Sequence, residues 1–390
     1  MNRKLALSQD EINLLGIKHS TLRNRYRLTE EQIERVYEHR GLRDEESSGI
    51  VDACKNVGVA PKDVKMIWLK TKTESVRVEN PYFQKEENRI VSDVLEDFLS
   101  KFEDKIKPKY IQVEQKYHRG LFDRLVYTDT HIGMTPNQNG YSLYGGKWDE
   151  EEVQERLDKI VRHVCKNQNA NTLIIDDLGD FFDGFDGKTV RREHDLPQNM
   201  DNQKAFDVGF NFKRQLIEDL LGNYEKIECH NICESNHSAS FDYIVNSAIK
   251  TYMEKCYQGR VSIHNMRRFI EHYIMDGYCF ILSHGKDSAN LKTGFKPHLD
   301  ASNELKINGY IDEHFLFQDG VTIEFSKGDS HQYLFDNATS DRFNYYNYPA
   351  LSPSSNWVQT GFKKGKSGVV FFNYTEEGKE IKELLFDWKR

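Results

Sequence analysis

From residue 121 onward, short apolar runs alternate with longer stretches of helical period. LFDRLVY, TLIID, KIECHNIC and YCFILS read as strands, and 152–168, 203–222 and 241–256 read as helices between the first three and before the fourth. Strand, helix, strand repetition predicts an α/β domain with layered sheets. After Asp329 the pattern turns β-rich again, through GVVFFNY and EIKELLF. No internal repeat or low-complexity tract breaks this order, which excludes solenoid architectures.

The first part of the chain has a different texture. LTEEQIERVYEHRG predicts a helix that Thr29 caps and Gly41 stops, with Glu30 and Glu31 at its positive end. SSGIVDACKNVGVAPKDVKMIWLKTK predicts a helix over 48–57, a turn at Gly58 and a second helix from Pro61 to about Lys70. The pair resembles a helix-turn-helix, with Ala53 small enough for close approach. Lys62, Lys65, Lys70 and Lys72 lie on or just beyond the second helix, where they can meet DNA phosphates. A helical interaction domain with a solvated lysine face is the alternative. Residues 80–110 predict a charged helical connector that ends before Lys107-Pro108. The expected organisation is therefore 1–80 helix-turn-helix-like, 81–114 connector, 115–340 α/β domain and 341–390 β-rich extension.

Composition adds compartment and class. Hydrophobic residues make up 38% and aromatic residues 12% of 390, enough to build folded cores rather than a disordered chain. No stretch is apolar for long enough to serve as a leader or a membrane span, and the six cysteines are scattered. Together these predict a cytoplasmic protein, in the host cytoplasm if phage-encoded, with no membrane partner. The net charge of −8 averages over unlike regions: residues 1–80 hold 15 basic and 13 acidic side chains, so the acidic surplus belongs to the rest.

Each predicted strand of the α/β part is followed by metal-binding residue types. Asp129-Thr130-His131 follows LVYT, Gly179-Asp180-Phe181-Phe182-Asp183 follows TLIIDDL, and Ser235-Asn236-His237 follows NICE. His284-Gly285 follows ILS, and Gly328-Asp329-Ser330-His331 follows VTIEFSK. A lone histidine at a strand end is usually packed or solvated, but five such clusters in order converge on one crevice at the strand ends of an α/β sheet.

In that order the clusters resemble the calcineurin-like metallophosphoesterase superfamily, whose pattern is DxH, GDxx(D/N), GNH(D/E), a later (S/T)H and GHxH. The resemblance covers about residues 121–335 and is closest to the DNA-repair nuclease branch and to phage-type phosphoesterases. It implies a four-layer α/β/β/α sandwich and two divalent ions, Mn²⁺ first, with Mg²⁺, Zn²⁺ or Fe²⁺ as the other candidates. Asp129, His131 and His331 are implied as ligands of one ion, Asp180 as the bridge, and Asn236, His284 and Asp329 as ligands of the second. His237 is implied as the group that protonates or stabilises the leaving oxygen.

Three positions depart from the family pattern. Ser235 stands where glycine is usual, which is tolerated if the position does not need positive φ. Asp329 replaces the first histidine of GHxH, adding an anionic oxygen that favours harder ions. Asp183 stands where double-strand-break nucleases carry a histidine, and as a carboxylate it suits a partner to a ligating imidazole.

Beyond the resemblance, the polar loop GKTVRREHDLPQNM offers Arg191, Arg192 and His194 to substrate phosphates. Cys229 and Cys233 in CHNIC read as structural thiols, because strand alternation sends alternate residues into the core. The expected function is a DNA phosphodiesterase using a metal-bound hydroxide, with a partner ATPase or a homodimer as possible assemblies. The alternatives are a phosphomonoesterase acting on a nucleotide or phosphoprotein, and a DNA-binding protein with an inactive core.

Overall fold

The computed structural model describes residues 4–6, 25–27, 32, 35, 66–70, 75–79, 107–113, 118–136, 146–191, 194–285, 297–355 and 365–386. The chain divides into two compact units, Met1–Ile90 and Val91–Arg390. In the first, β1 (Lys4–Ala6) pairs antiparallel with β2 (Arg25–Arg27), and β3 (Met66–Lys70) pairs antiparallel with β4 (Ser75–Glu79). Gln32 and Arg35 are helical, inside the helix expected after Thr29.

One expectation is overturned here: the second helix, Pro61 to Lys70, is a strand over its last five residues. Met66-Ile67-Trp68-Leu69 is rich in β-formers, and Val76 and Val78 supply an alternating partner in register with Leu69 and Ile67. Lys70 therefore ends a strand. Lys62, Lys65, Lys72 and the first helix of the expected motif lie outside the described residues.

The second unit has the layered order that the strand and helix pattern predicts. A six-stranded sheet runs β15-β14-β5-β6-β7-β8, and a five-stranded sheet runs β12-β13-β11-β10-β9. In the first sheet the strands are β5 (Phe122–Tyr127), β6 (Thr172–Asp177), β7 (Lys226–Ile232), β8 (Val261–Met266), β14 (Gly368–Thr375) and β15 (Gly378–Leu385). In the second they are β9 (Ile270–Met275), β10 (Tyr278–Ser283), β11 (Thr322–Lys327), β12 (Leu334–Asp336) and β13 (Asn344–Asn347). Strands β5 to β8 are parallel, as are β10, β11 and β13, so their C-terminal ends share one edge.

Helices α1 (Glu150–Asn167), α2 (Asn202–Leu220) and α3 (Ser240–Cys256) cover the outer face of the larger sheet. Helix α1 begins where Asp149 accepts from the Glu152 amide at 3.1 Å, and three glutamates in its first turn suit its positive end. Val153, Leu157, Ile160 and Val164 recur at helical spacing and bury against Leu125 and Leu173 of the sheet. Helix α4 (Ala301–Glu313) covers the other sheet through Ile307 and Ile311. Among the described residues no helix is long and apolar enough to cross a membrane.

Between the sheets Phe122, Val126, Ile174, Phe280, Leu282, Phe372 and Tyr374 form an apolar layer. Fully buried Arg124 lies inside that layer, with its guanidinium 2.6 Å from Asp176 Oδ2 and 3.6 Å from Glu324 Oε2. Glu324 also accepts from Tyr374 Oη at 2.8 Å and pairs with Lys379. Taking such charges out of water is costly, and the pairing across β5, β6 and β11 compensates it while fixing how one sheet sits on the other.

Candidate dinuclear metal centre

The C-terminal ends of β5, β6, β7, β10 and β11 carry the five sequence clusters to one crevice. Asp129 Oδ1 lies 3.7 Å from His131 Nε2 and 3.4 Å from His331 Nε2, and the two imidazoles approach to 3.3 Å. His284 Nε2 lies 3.0 Å from Asp180 Oδ2, 3.0 Å from Asn236 Oδ1 and 3.8 Å from Asp329 Oδ1. The other oxygen of Asp180 accepts from the His237 amide at 2.9 Å. All seven residues implied as ligands thus converge; Asp129, His131, Asp180, Asn236, His284 and His331 are buried, and Asp329 is partly buried.

Backbone conformation aims these side chains. Asp129, His131, Asp180, Asp329 and His331 all have positive φ, between 46° and 65°. L-residues adopt that region only where the surroundings hold them there, and such strain collects at functional sites. The restraints are identifiable. Gly328 lets its backbone press on Thr128, where an added Cβ would meet Thr128 Oγ1 at 2.2 Å. Gly179, at φ 97°, turns the chain into Asp180 against Ser235 and His284. Ser235 itself is absent from the positive-φ residues, which is why a side chain fits where the family pattern has glycine.

The electrostatics match a cation cage. Burial alone would raise the Asp129 carboxyl, yet His331 and His131 hold it well below the usual carboxylate range. Asp180 is likewise pushed up by burial and pulled well down by His284 and His237. Burial disfavours charge on His284, but Asp180 outweighs it and the imidazole is raised to about 10. Asp129 Oδ1, Asp329 Oδ2 and His331 Nδ1 are buried without hydrogen-bond partners. Carboxylate and imidazole donors packed this closely, with unsatisfied atoms, suit bound cations. Asp129, His131 and His331 form one set of donors within 4.8 Å of one another, and Asp129, Asp180 and His284 form another. The residues fit two divalent ions.

Asp183 stands behind the first set. Its Oδ1 lies 3.2 Å from His131 Nδ1 and 3.6 Å from His237 Nδ1, and its backbone carbonyl accepts from His237 Nδ1 at 3.1 Å. Burial lowers the His237 imidazole, but Asp180 and Asp183 outweigh it and hold it above its ordinary value. The polar loop docks on the same site, since Val190 N donates to His237 O at 2.8 Å and Arg191 N to Asn236 O at 3.3 Å. The Arg191 guanidinium lies 3.9 Å from Glu234, His194 is exposed, and Arg192 lies outside the described residues.

Three supporting residues escape a reading of the motifs. Trp148 donates its indole N–H to Thr130 O at 2.9 Å and His131 O at 3.0 Å, and Ser352 Oγ donates to Asp129 O at 2.8 Å. Asp242, in the first turn of α3, accepts from Phe181 N, Phe182 N, Ser235 Oγ and Ser238 Oγ at 2.6–3.3 Å. It ties the Asp180 loop to the Asn236 loop. Only an acidic residue at a helix start hinted at this role, and that signal is common.

No family model matches the sequence, and no curated protein does either. Solved structures do resemble it. A dimetal phosphatase from Danio rerio is 8% identical over 69% of this chain and 98% of its own, with a TM-score of 0.39. Vps29 from Entamoeba histolytica, solved with zinc, is 8% identical over 67% and 98%, with a TM-score of 0.29. A predicted phosphoesterase from Streptococcus pneumoniae is 10% identical over 69% and 100%, with a TM-score of 0.26. Likeness this distant carries no chemistry, which comes from the donor atoms themselves.

Proposed function

We propose that the chain is a calcineurin-like metallophosphoesterase that hydrolyses a phosphodiester of DNA. One observation carries the phosphoesterase reading: Asp180 stands between two donor sets, its carboxylate lying within 4.8 Å of donor atoms of His131 and His237 on one side and of Asp129 and His284 on the other. Asp129, His131, His331 and Asp180 would hold one divalent ion, and Asp180, Asn236, His284 and Asp329 the second. A pair of such ions supplies Lewis acidity to the phosphoryl oxygens and makes water acidic enough to attack at neutral pH.

The chain's own residues do the rest. His237 Nδ1–H donates to the Asp183 carbonyl, which fixes the ring and leaves a proton on Nε2 free to go to the leaving oxygen. Trp148 and Ser352 hold the Asp129 to His131 backbone, so the donors are set before substrate arrives. Asp329 in place of imidazole makes the second set more anionic and favours Mn²⁺ or Mg²⁺.

DNA as substrate rests on the lysines near residues 62–72 and on the loop bearing Arg191, Arg192 and His194. Because residues 66–70 form a strand, the helix-turn-helix support for DNA is weakened. On that observation a phosphomonoester is the second reading. Turnover of plasmid and oligonucleotide DNA, p-nitrophenyl phosphate and its bis-ester with Mn²⁺ separates the two. Hydrolysis of the monoester with DNA untouched removes the nuclease reading, and hydrolysis of none of them removes both.

A further inference from the structure

Helix α1 buries an apolar stripe of Val153, Leu157, Ile160 and Val164, and one buried side chain beside them breaks the pattern. Arg156 is 4% exposed, and a guanidinium that deep is costly unless it is paired and hydrogen-bonded. Its Nε donates to Glu152 Oε1 at 2.7 Å, one turn back on the same helix. Its Nη1 donates to the carbonyl of Leu351 at 2.6 Å and to Ser367 Oγ. The flat group also lies over the rings of Trp148, at 4.9 Å, and Phe386, at 4.8 Å.

Two of these contacts lead to the metal crevice. The carbonyls of Thr128, Asp129, Thr130 and His131 are consecutive, and each accepts from Trp148, Leu351 or Ser352. Leu351 N donates to Thr128 O at 2.8 Å and Ser352 N to Asp129 O at 3.2 Å. The Trp148 indole N–H is shared between Thr130 O and His131 O. Arg156 holds both braces, since it lies over the indole ring and binds the Leu351 carbonyl. That carbonyl belongs to the same peptide group as the Ser352 N–H. A cationic donor on its oxygen therefore strengthens the bond that its nitrogen gives to Asp129. Asp129 and His131 sit at φ 51° and 46°, where an L-residue stays only under restraint.

We propose that Arg156 is a positioning residue of the dinuclear centre, locking the strained Asp129-Thr130-His131 turn through Trp148 and the Leu351-Ser352 peptide. The inference rests on the metallophosphoesterase reading and adds that the donor geometry is set from α1. Because the guanidinium is paired with Glu152, its influence on the crevice runs through these bonds rather than through its charge. A lysine keeps the charge but has no planar fork with which to serve Glu152, Leu351 and Ser367 together.

The test sets Arg156→Lys and Arg156→Met beside Arg260→Lys in the full-length protein. Arg260 is a matched control, because its guanidinium donates to the carbonyls of Ile111, Leu221 and Tyr224 at 2.7–2.9 Å. It directly precedes β8 and so stands at the edge of the sheet opposite the crevice. In the metal-free proteins, hydrogen exchange at the Asp129 and His131 amides is expected to be faster in both Arg156 variants and unchanged in Arg260→Lys. Mn²⁺ affinity, measured by calorimetry, should fall about 10–100-fold at one of the two ions in the Arg156 variants and stay at the wild-type value in Arg260→Lys. A wild type that binds no Mn²⁺ overturns the metallophosphoesterase reading beneath. A wild type that binds two ions, with affinity or exchange unchanged in the Arg156 variants, overturns the inference alone, as does an equal loss in Arg260→Lys. Should Arg156→Met fail to fold, Arg156→Lys decides.

Discussion

Asp129 and Asp329 stand 200 residues apart, yet the amide of Asp329 donates to Asp129 Oδ2 at 3.0 Å. Each begins an Asp-x-His turn whose aspartate and histidine both have positive φ. The two turns face one another across the sheets, one from β5 and one from β11. The replacement of histidine by Asp329 therefore makes the second turn a copy of the first in residue type as well as in backbone shape.

Replacing His237 with alanine removes the proposed acid but no proposed metal ligand. The rate constant for turnover should fall by about 10²–10⁴-fold, the usual worth of a positioned proton donor. Metal content should stay at the wild-type value, and a leaving group acidic enough to depart unaided should recover much of the loss. Steady-state kinetics with phosphoesters of graded leaving-group pKa reads this directly.

Asp183→Asn keeps the backbone carbonyl that holds His237 but removes the carboxylate 3.2 Å from His131. Loss of such a partner typically costs about 10–100-fold in metal affinity or activity. Excess Mn²⁺ should restore part of the lost turnover if the effect runs through His131. No response to added metal would assign the residue to His237 instead.

Metal uptake should depend on pH. In the metal-free protein Asp180 raises His284 to about 10, so at neutral pH this imidazole carries a proton that a cation must displace. The sign follows from that: affinity rises with pH up to about 10 and weakens on acidification. Without metal, the raised imidazole contributes stability that is present below its unfolded value near 6.5 and lost as pH rises through 10. Calorimetric titration in buffers of differing ionisation enthalpy should record protons released on binding Mn²⁺.

Arg124→Met leaves Asp176 and Glu324 buried without their shared cation. Breaking a buried pair this way costs about 3–5 kcal/mol, measurable by urea unfolding. The double replacement Arg124→Met with Asp176→Leu should recover part of the loss. Failure to recover would locate the cost at Glu324.

Much of the larger sheet and all five site clusters were legible because strand ends carry both signals in adjacent residues. The periods of α1, α2 and α3 were long enough to show in the sequence, and the alternation of Cys229 with His230 placed the thiols correctly on the core side. At Cys229, burial pushes the thiol to about 12, which suits a structural role. Short apolar runs were less decisive. Met66–Lys70 reads equally well as the end of a helix until Ser75–Glu79 is known to pair with it. Trp148, Asp242 and Ser352 were illegible as site residues because they act through backbone atoms of other segments, and that relation has no spacing in the chain.

The place of β14 between β15 and β5 has a consequence for how the protein is made. A ribosome releases β5 well before β14, the neighbour that covers its free edge. Until then the strand bearing the first Asp-x-His turn exposes unpaired amides and carbonyls, an invitation to aggregation that chaperones or rapid completion of synthesis must meet.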